Sequence, residues 1–191
     1  LSGGYPLEDK LNFLKKYTDL GFKCFPLHYP LADGGCTCGN PECSSIGKHP
    51  ISSGWQSKAT TNYEILNAYF NRNANYNIGI LTGKESGIFV LDCDGLEGVN
   101  TFKEKGANDP ETLIFKTGRG LHVVYHYNKD LAEELGGKIK NKVRLQEFKL
   151  DIRGDGGYIV APGSLHPSGE RYEILKDDLE SIMKEINNGG I

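Results

Sequence analysis

The chain has 191 residues, of which 38% are hydrophobic and 25% charged, enough apolar material for a compact core and too much for a disordered chain. Lys and Arg total 22 against 25 Asp and Glu, a formal net charge of -3, so no global basic footprint marks a nucleic-acid partner and any such surface must be local. No apolar run reaches membrane-spanning length, and "LSGGYPLEDK" lacks a basic-then-apolar leader, which fits a cytoplasmic protein with no membrane partner. The chain starts at Leu1 and its one methionine is Met183, so a longer parent polypeptide is expected.

From Pro6 to Leu20, apolar residues at Leu7, Leu11, Leu14, Tyr17 and Leu20 recur at three- and four-residue steps before Gly21, predicting a helix with a glycine stop. "FKCFPL" reads as a short strand that buries Cys24. Residues 29–50 carry no periodicity and are rich in Gly, Pro, Ser and Cys. Asn62 is a good N-cap for a helix to about Phe70 that buries Ile65, Leu66, Tyr69 and Phe70. Strands follow at 77–81 and 87–93, then a short helix in "GLEGVNTFKEKG". "TLIFKTGRGLHVVYHY" reads as two strands joined by a glycine turn. After a helical "KDLAEELGG", alternation returns in "VRLQEFKLDIR", then "GYIVAPGS" and "RYEIL" give strands and "KDDLESIMKEINN" closes as a helix. Strands interleaved with helices, partly as hairpins, predict an α+β sheet fold and not a doubly wound parallel one.

Three segments carry chemistry. In "GIFVLDCDG" a strand apolar on both faces ends on Asp92 and Asp94, whose α-carbons would lie roughly 6.5–7 Å apart on one face, with Cys93 turned into the core. The same residues are equally a turn, since Asp and Gly favour turns. In "TGRGLH", Gly118 and Gly120 let backbone N–H groups approach an anion, Arg119 offers a planar fork, and His122 stands on the next strand as a donor. A plain hairpin with a surface histidine explains that segment too, and His126 is a surface or packing residue. In "EFKLDIRGDGG", Asp151 is flanked by Lys149 and Arg153 on one face, which suits a metal site beside a bound anion or a surface ion-pair ladder. "GILTGKES" is not a P-loop, because its glycine spacing is wrong and Glu85 stands where a hydroxyl should.

Cys36, Cys38, Cys43 and His49 follow a Cys-x-Cys-x4-Cys-x5-His pattern, which fits a closed Cys3His zinc site folding a loop with little apolar surface of its own. His28 is an alternative fourth ligand. Lys138, Lys140, Lys142, Arg144 and Lys149 form a local basic tract along which a single-stranded template could track.

The hydrophobic-DxDG segment, the TGRGLH hairpin and "LDIRGDGGYIVAPGS", in that order and together with "GKHP", Trp55 and "NIGILTG", resemble the archaeo-eukaryotic primase superfamily and its bifunctional primase-polymerase branch over about residues 21–172. The resemblance implies one catalytic domain across residues 1–191, with an RRM-like catalytic lobe, a smaller N-terminal α/β lobe and a zinc loop at about 29–50. It implies a template-directed DNA primase and polymerase, in which Asp92, Asp94 and Asp151 hold two Mg2+ or Mn2+ ions and His122 contacts the phosphates of the incoming nucleotide. Gly118, Arg119, Gly120, Arg153, Ser164 and His166 are further nucleotide contacts by the same resemblance, and structural zinc fits a Cys-rich insertion found in some relatives. Expected partners are single-stranded DNA, ribo- or deoxynucleoside triphosphates, and a helicase or other domain of the parent. The rival readings are a catalytically inactive zinc-bearing nucleotide- or DNA-binding module and a metal-dependent nuclease.

Overall fold

The computed structural model describes residues 3–104, 112–145 and 149–175, and the chain divides into two compact units, Leu1–Leu81 with Tyr158–Tyr172 and Thr82–Gly157 with Glu173–Ile191.

The first unit contains α1 (Leu7–Asp19), β1 (Cys24–Leu27), α2 (Trp55–Lys58), α3 (Tyr63–Arg72), β2 (Asn77–Leu81) and β8 (Tyr158–Val160). Its antiparallel sheet has the order β1-β2-β8. Pro26, which cannot donate to a ladder, is tolerated because β1 lies at the edge. α1 ends as the sequence predicts. Gly21 takes φ +81°, and the N–H groups of Gly21 and Phe22 donate to the carbonyls of Thr18 and Tyr17 (3.0 and 2.9 Å), the paired bonds of a Schellman cap. Asn62 caps α3 by accepting from the N–H groups of Glu64 and Ile65 (3.0 and 3.3 Å).

Two expectations for these helices fail. Ile65 is 48% exposed and Leu20 is 60% exposed, because the buried stripes run through Leu66 and Phe70 on α3 and Leu14 and Tyr17 on α1. The α1 stripe instead includes Lys10, whose Nζ donates to the carbonyls of Ala74 and Tyr76 (2.7 and 2.6 Å), so its charge is buried against backbone oxygens. Phe25, Leu27, Ala59, Leu81, Val160 and Tyr172 form a core cluster, with Trp55 and Tyr158 packed against it.

The second unit contains β3 (Ile88–Cys93), α4 (Gly95–Glu104), β4 (Leu113–Lys116), β5 (Leu121–His126), α5 (Lys129–Glu134), β6 (Lys142–Leu145), β7 (Leu150–Arg153) and β9 (Glu173–Ile174). Its six strands run in the order β6-β7-β3-β5-β4-β9, and every ladder is antiparallel. The fold is therefore mixed α+β with antiparallel sheets, as predicted. β3 has a hydrogen-bonded strand at each edge, and Ile88, Val90 and Cys93 within it are buried. One face is closed by α4: Val99 and Phe102 pack on Cys93, Leu121 and Val123, with Leu91 and Leu150 alongside.

"VRLQEFKLDIR" departs from the single alternation expected of it. It forms two paired strands, β6 and β7, with Lys149 at φ +49°, so Lys149 lies at a turn and only Arg153 shares the Asp151 face within β7. Phe148 and the helix expected over 176–188 lie outside the described residues.

Candidate functional site

Register places three polar side chains in one row across the middle of the six-stranded sheet. Asp92 on β3 stands directly opposite Asp151 on β7 and directly opposite His122 on β5. Directly opposed residues of an antiparallel pair share a face, so all three project from the side that α4 does not cover. Arg153, two residues beyond Asp151, projects from that face as well.

The four groups form a chain of contacts. His122 Nε2 lies 3.4 Å from Asp92 Oδ1. Arg153 Nη2 lies 3.0 Å from Asp92 Oδ2 and 2.9 Å from Asp151 Oδ2, so a single nitrogen bridges both carboxylates. The site is shielded but open: the His122 side chain is 8% exposed and that of Asp92 23%. Burial alone would raise the Asp92 carboxyl, but His122 and Arg153 outweigh it and hold Asp92 well below the usual carboxylate range. Asp92 thus keeps its anionic oxygens at neutral pH, as a site for hard cations requires.

Asp94 is placed differently from the geometry expected of a continuing strand. β3 ends at Cys93, and Gly95 at φ +66° turns the chain into α4. Asp94 sits exposed at that junction, its N–H donating to the Lys149 carbonyl (3.1 Å) and its carbonyl accepting from Gly98 N (3.3 Å). Asp92 belongs to the strand and Asp94 to the turn, so both readings of the DxDG segment are partly right. Cys93 is core, as predicted; burial, with Asp92 beside it, pushes its thiol up to about 12.

The TGRG segment is a tight turn built around Thr117. Its N–H donates to the Gly120 carbonyl (2.9 Å), and its Oγ1 accepts from the N–H groups of Arg119 and Gly120 (3.3 and 3.0 Å). Those two N–H groups are engaged by the protein itself. Gly120 has a second reason to be glycine, because a Cβ there would lie 2.0 Å from the Cys93 carbonyl oxygen. The turn is pressed onto the end of β3, where the DxDG segment starts. Gly118 is buried and the Arg119 side chain is exposed. His126 is exposed at the far end of β5.

Ser164 and His166 belong to the first unit and are buried there. Ser164 Oγ accepts from Ile78 N (2.8 Å). His166 Nδ1 accepts from Ser168 N (3.1 Å) and lies 2.7 Å from Ser168 Oγ, closing the "HPSG" turn.

A clamp behind the row was not anticipated. Asp155 Oδ2 accepts from Tyr127 Oη and Ile139 N (2.7 and 3.0 Å), and its Oδ1 accepts from Lys84 N (3.1 Å). Asn141 Oδ1 accepts from Gly154 N (2.8 Å), Thr82 Oγ1 donates to the Gly154 carbonyl (2.7 Å), and a Cβ on Gly154 would lie 2.0 Å from the Ile139 carbonyl oxygen. The backbone just after Arg153 is thereby fixed from several elements. Its one sequence signal is the glycine-rich "RGDGG" run.

The cysteine loop forms a second cluster, in the first unit. The ligand atoms of Cys36, Cys38, Cys43 and His49 all lie within 4.8 Å of one another, and Cys36 Sγ and Cys43 Sγ are each 3.5 Å from His49 Nε2. A tetrahedral ion with a metal–sulfur distance of about 2.3 Å and a metal–nitrogen distance of 2.0–2.1 Å needs sulfur–nitrogen separations of about 3.5 Å, so the donor set and its spacing suit zinc. All five cysteines are free of disulfides. Burial raises the Cys36 thiol, but the Gly47 N–H, then Cys38 and His49, outweigh it and bring it to about 7, close to the thiolate a metal needs. Of the two candidate histidines, His49 belongs to the cluster. His28 packs on its ring, centroids 4.5 Å apart, with Nδ1 3.0 Å from Thr37 Oγ1. The loop is bolted to its unit by Asn77 Nδ2 on the Gly47 carbonyl and Tyr158 Oη on the Lys48 carbonyl (2.8 and 2.9 Å). Among the described residues, no other group of three His, Cys, Asp or Glu converges in this way.

A carboxylate row on an antiparallel sheet, with a histidine and an arginine in hydrogen-bonding reach, has the chemistry that suits hard cations and phosphates, which narrows the class of protein. The particular family follows from the whole chain. Residues 14–188 match the model of the Prim-Pol family, the N-terminal domain of bifunctional DNA primase/polymerase, and the chain belongs to that family. Membership implies a nucleotidyltransferase-type enzyme with DNA and nucleotides as substrates. A search of curated proteins finds no match. No helix among the described residues is long and apolar enough to cross a membrane.

Proposed function

We propose that the chain is a template-directed DNA primase and polymerase that joins nucleoside triphosphates into primers by two-metal nucleotidyl transfer and extends them. The observation that carries this reading is the Asp151–Asp92–His122 row, flanked by Arg153 on the same sheet face. In this reading the six-stranded unit is the RRM-like lobe of an archaeo-eukaryotic primase fold, and both units belong to one cytoplasmic catalytic domain that works with a helicase.

Asp92 and Asp151, with Asp94 at the mouth of the row, would hold two Mg2+ or Mn2+ ions, which supply charge stabilisation for the attacking 3′ oxygen and the departing pyrophosphate. The protein's own groups do the rest. The sheet fixes the backbone of the two strand acids, so their direction is set before substrate arrives. Asp92 Oδ1 holds the imidazole of His122, whose ring then faces the phosphates of the nucleotide as a donor. Arg153 and Arg119 bring planar cations to the same phosphates, beside the turn that Gly118 and Gly120 form. Template is held by the exposed Lys138, Lys140, Lys142 and Lys149, together with Arg144. Two or three such phosphate contacts give weak binding whose logarithm falls with log salt at a slope of about -0.7 per contact. Zinc at Cys36, Cys38, Cys43 and His49 is structural, since four protein ligands leave no position for substrate.

The test is direct. The purified chain, given Mg2+ or Mn2+, single-stranded DNA and nucleotides, makes short products, and the double variant Asp92→Ala, Asp94→Ala makes none. Nucleotide binding without product in the wild type would instead identify an inactive binding module. Shortening of the DNA would identify a nuclease.

A further inference from the structure

Asp92 and Asp151 stand directly opposite each other on neighbouring strands, a placement in which two like charges repel. The chain relieves the repulsion itself. One nitrogen, Arg153 Nη2, spends its two hydrogens on Asp92 Oδ2 and Asp151 Oδ2, 3.0 and 2.9 Å away. These are oxygens on the two acids assigned to the catalytic cation, and a guanidinium and a metal ion cannot occupy the same gap between them.

We propose that Arg153 is a resident counter-ion of the Asp92–Asp151 pair, that a divalent cation enters only by displacing it, and that the displaced guanidinium is taken up by the triphosphate, so that cation and nucleotide bind with positive coupling. This rests on the reading of Asp92 and Asp151 as cation ligands and adds a regulatory role for Arg153 within it.

The surroundings of Arg153 favour movement of the side chain and not of the strand. Its carbonyl neighbour Gly154 is pinned on both sides, N–H to Asn141 Oδ1 and carbonyl from Thr82 Oγ1 (2.8 and 2.7 Å), and Asp155 is tied to Tyr127, Ile139 and Lys84. The arm is long, 29% exposed, and attached to a fixed base. Its planar fork matches phosphate oxygens as well as carboxylates, so a triphosphate replaces the partners that the incoming cation takes away. Without nucleotide the cation must break two charge-assisted hydrogen bonds and leave an arginine with no anion. With nucleotide that loss is compensated. The site would thus stay free of metal until a nucleotide is present to use it.

The experiment measures Mn2+ binding to the zinc-loaded full chain by the loss of the free-ion paramagnetic resonance signal, with and without a non-hydrolysable nucleoside triphosphate. Wild type should bind Mn2+ weakly alone and more tightly with nucleotide, by a factor within the roughly 5–150-fold usual for coupled sites. Arg153→Met should bind Mn2+ alone about tenfold more tightly than wild type, and its enhancement by nucleotide should shrink by a comparable factor. Arg153→Gln, a smaller change in shape and polarity, gives the same comparison if the methionine variant proves unstable by circular dichroism. Equal affinities, within twofold, in wild type and both variants would overturn the proposal while leaving the acids as ligands. Mn2+ binding unaffected by Asp92→Asn with Asp151→Asn would overturn the ligand assignment itself.

Discussion

The two clusters of potential metal ligands differ in how each balances its charge. In the cysteine loop, four donor atoms converge within 4.8 Å, and a thiol can shed its charge by taking a proton. In the carboxylate row two acids stand abreast and the chain supplies a cation of its own, Arg153, bonded to both. The loop is closed on every side by protein ligands and suits a permanent ion. The row carries Arg153 between its acids, and under the proposal above that side chain gives way to ions that come and go with substrate.

That contrast can be broken at four points. The largest effect belongs to the row. Asp92→Asn removes the residue shared by His122 and Arg153, and primer synthesis should fall by at least about 10²–10³-fold, the loss typical when one electrostatic stabiliser is removed, while zinc content stays at one ion per chain. Metal analysis beside a primer-extension gel checks both halves. Loss of zinc from the same variant would mean that the two clusters are not independent.

Next comes the loop. Cys43→Ser, or a strong chelator, should lower stability by about 2–3 kcal/mol, which at about 2–4 °C per kcal/mol lowers Tm by roughly 5–10 °C. Calorimetry with and without added zinc measures this. A Tm indifferent to zinc would show that the loop is held by its hydrogen bonds from Asn77 and Tyr158 alone.

Gly120→Ala tests whether the hairpin turn is seated on the acidic strand. A Cβ 2.0 Å from the Cys93 carbonyl forces the turn to move, at a cost of about 1–3 kcal/mol in a denaturant titration. An unchanged midpoint would contradict that seating.

The last test concerns a second cation, Lys10, which is buried and paired with carbonyls and not carboxylates. Burial lowers its ammonium from 10.5 to about 7. Between pH 7 and about 10.5 the unfolded chain binds the proton that the folded chain has released, so stability rises with pH through that window. Above about 10.5 the gain is complete, and as pH falls through 7 it is lost. Lys10→Met should flatten this part of the stability–pH curve, whereas substitution of Arg153 should leave it unchanged.

Much of this was legible in the chain. Helix ends were, because Gly21 and Asn62 act within one turn of backbone, and so was the burial of Cys93, because strand alternation is local. The convergence of Cys36, Cys38, Cys43 and His49 was legible from their spacing within one loop. Ile65 and Leu20 were misread because helical periodicity says which residues share a face but not which edge of that face meets the core. Lys10 was invisible for a related reason: its partners, the carbonyls of Ala74 and Tyr76, carry no side-chain signature.

The sequence by itself determined the residue types of the site, the period of each element, and the family, through motifs whose order and spacing are specific. Tertiary structure decided register: that Asp151 and His122 fall exactly abreast of Asp92, that Asp94 leaves the strand, and that one nitrogen of Arg153 bridges both acids. A strand's pattern fixes which way its side chains point, but alignment with its neighbours depends on turns and packing contributed by residues far away along the chain.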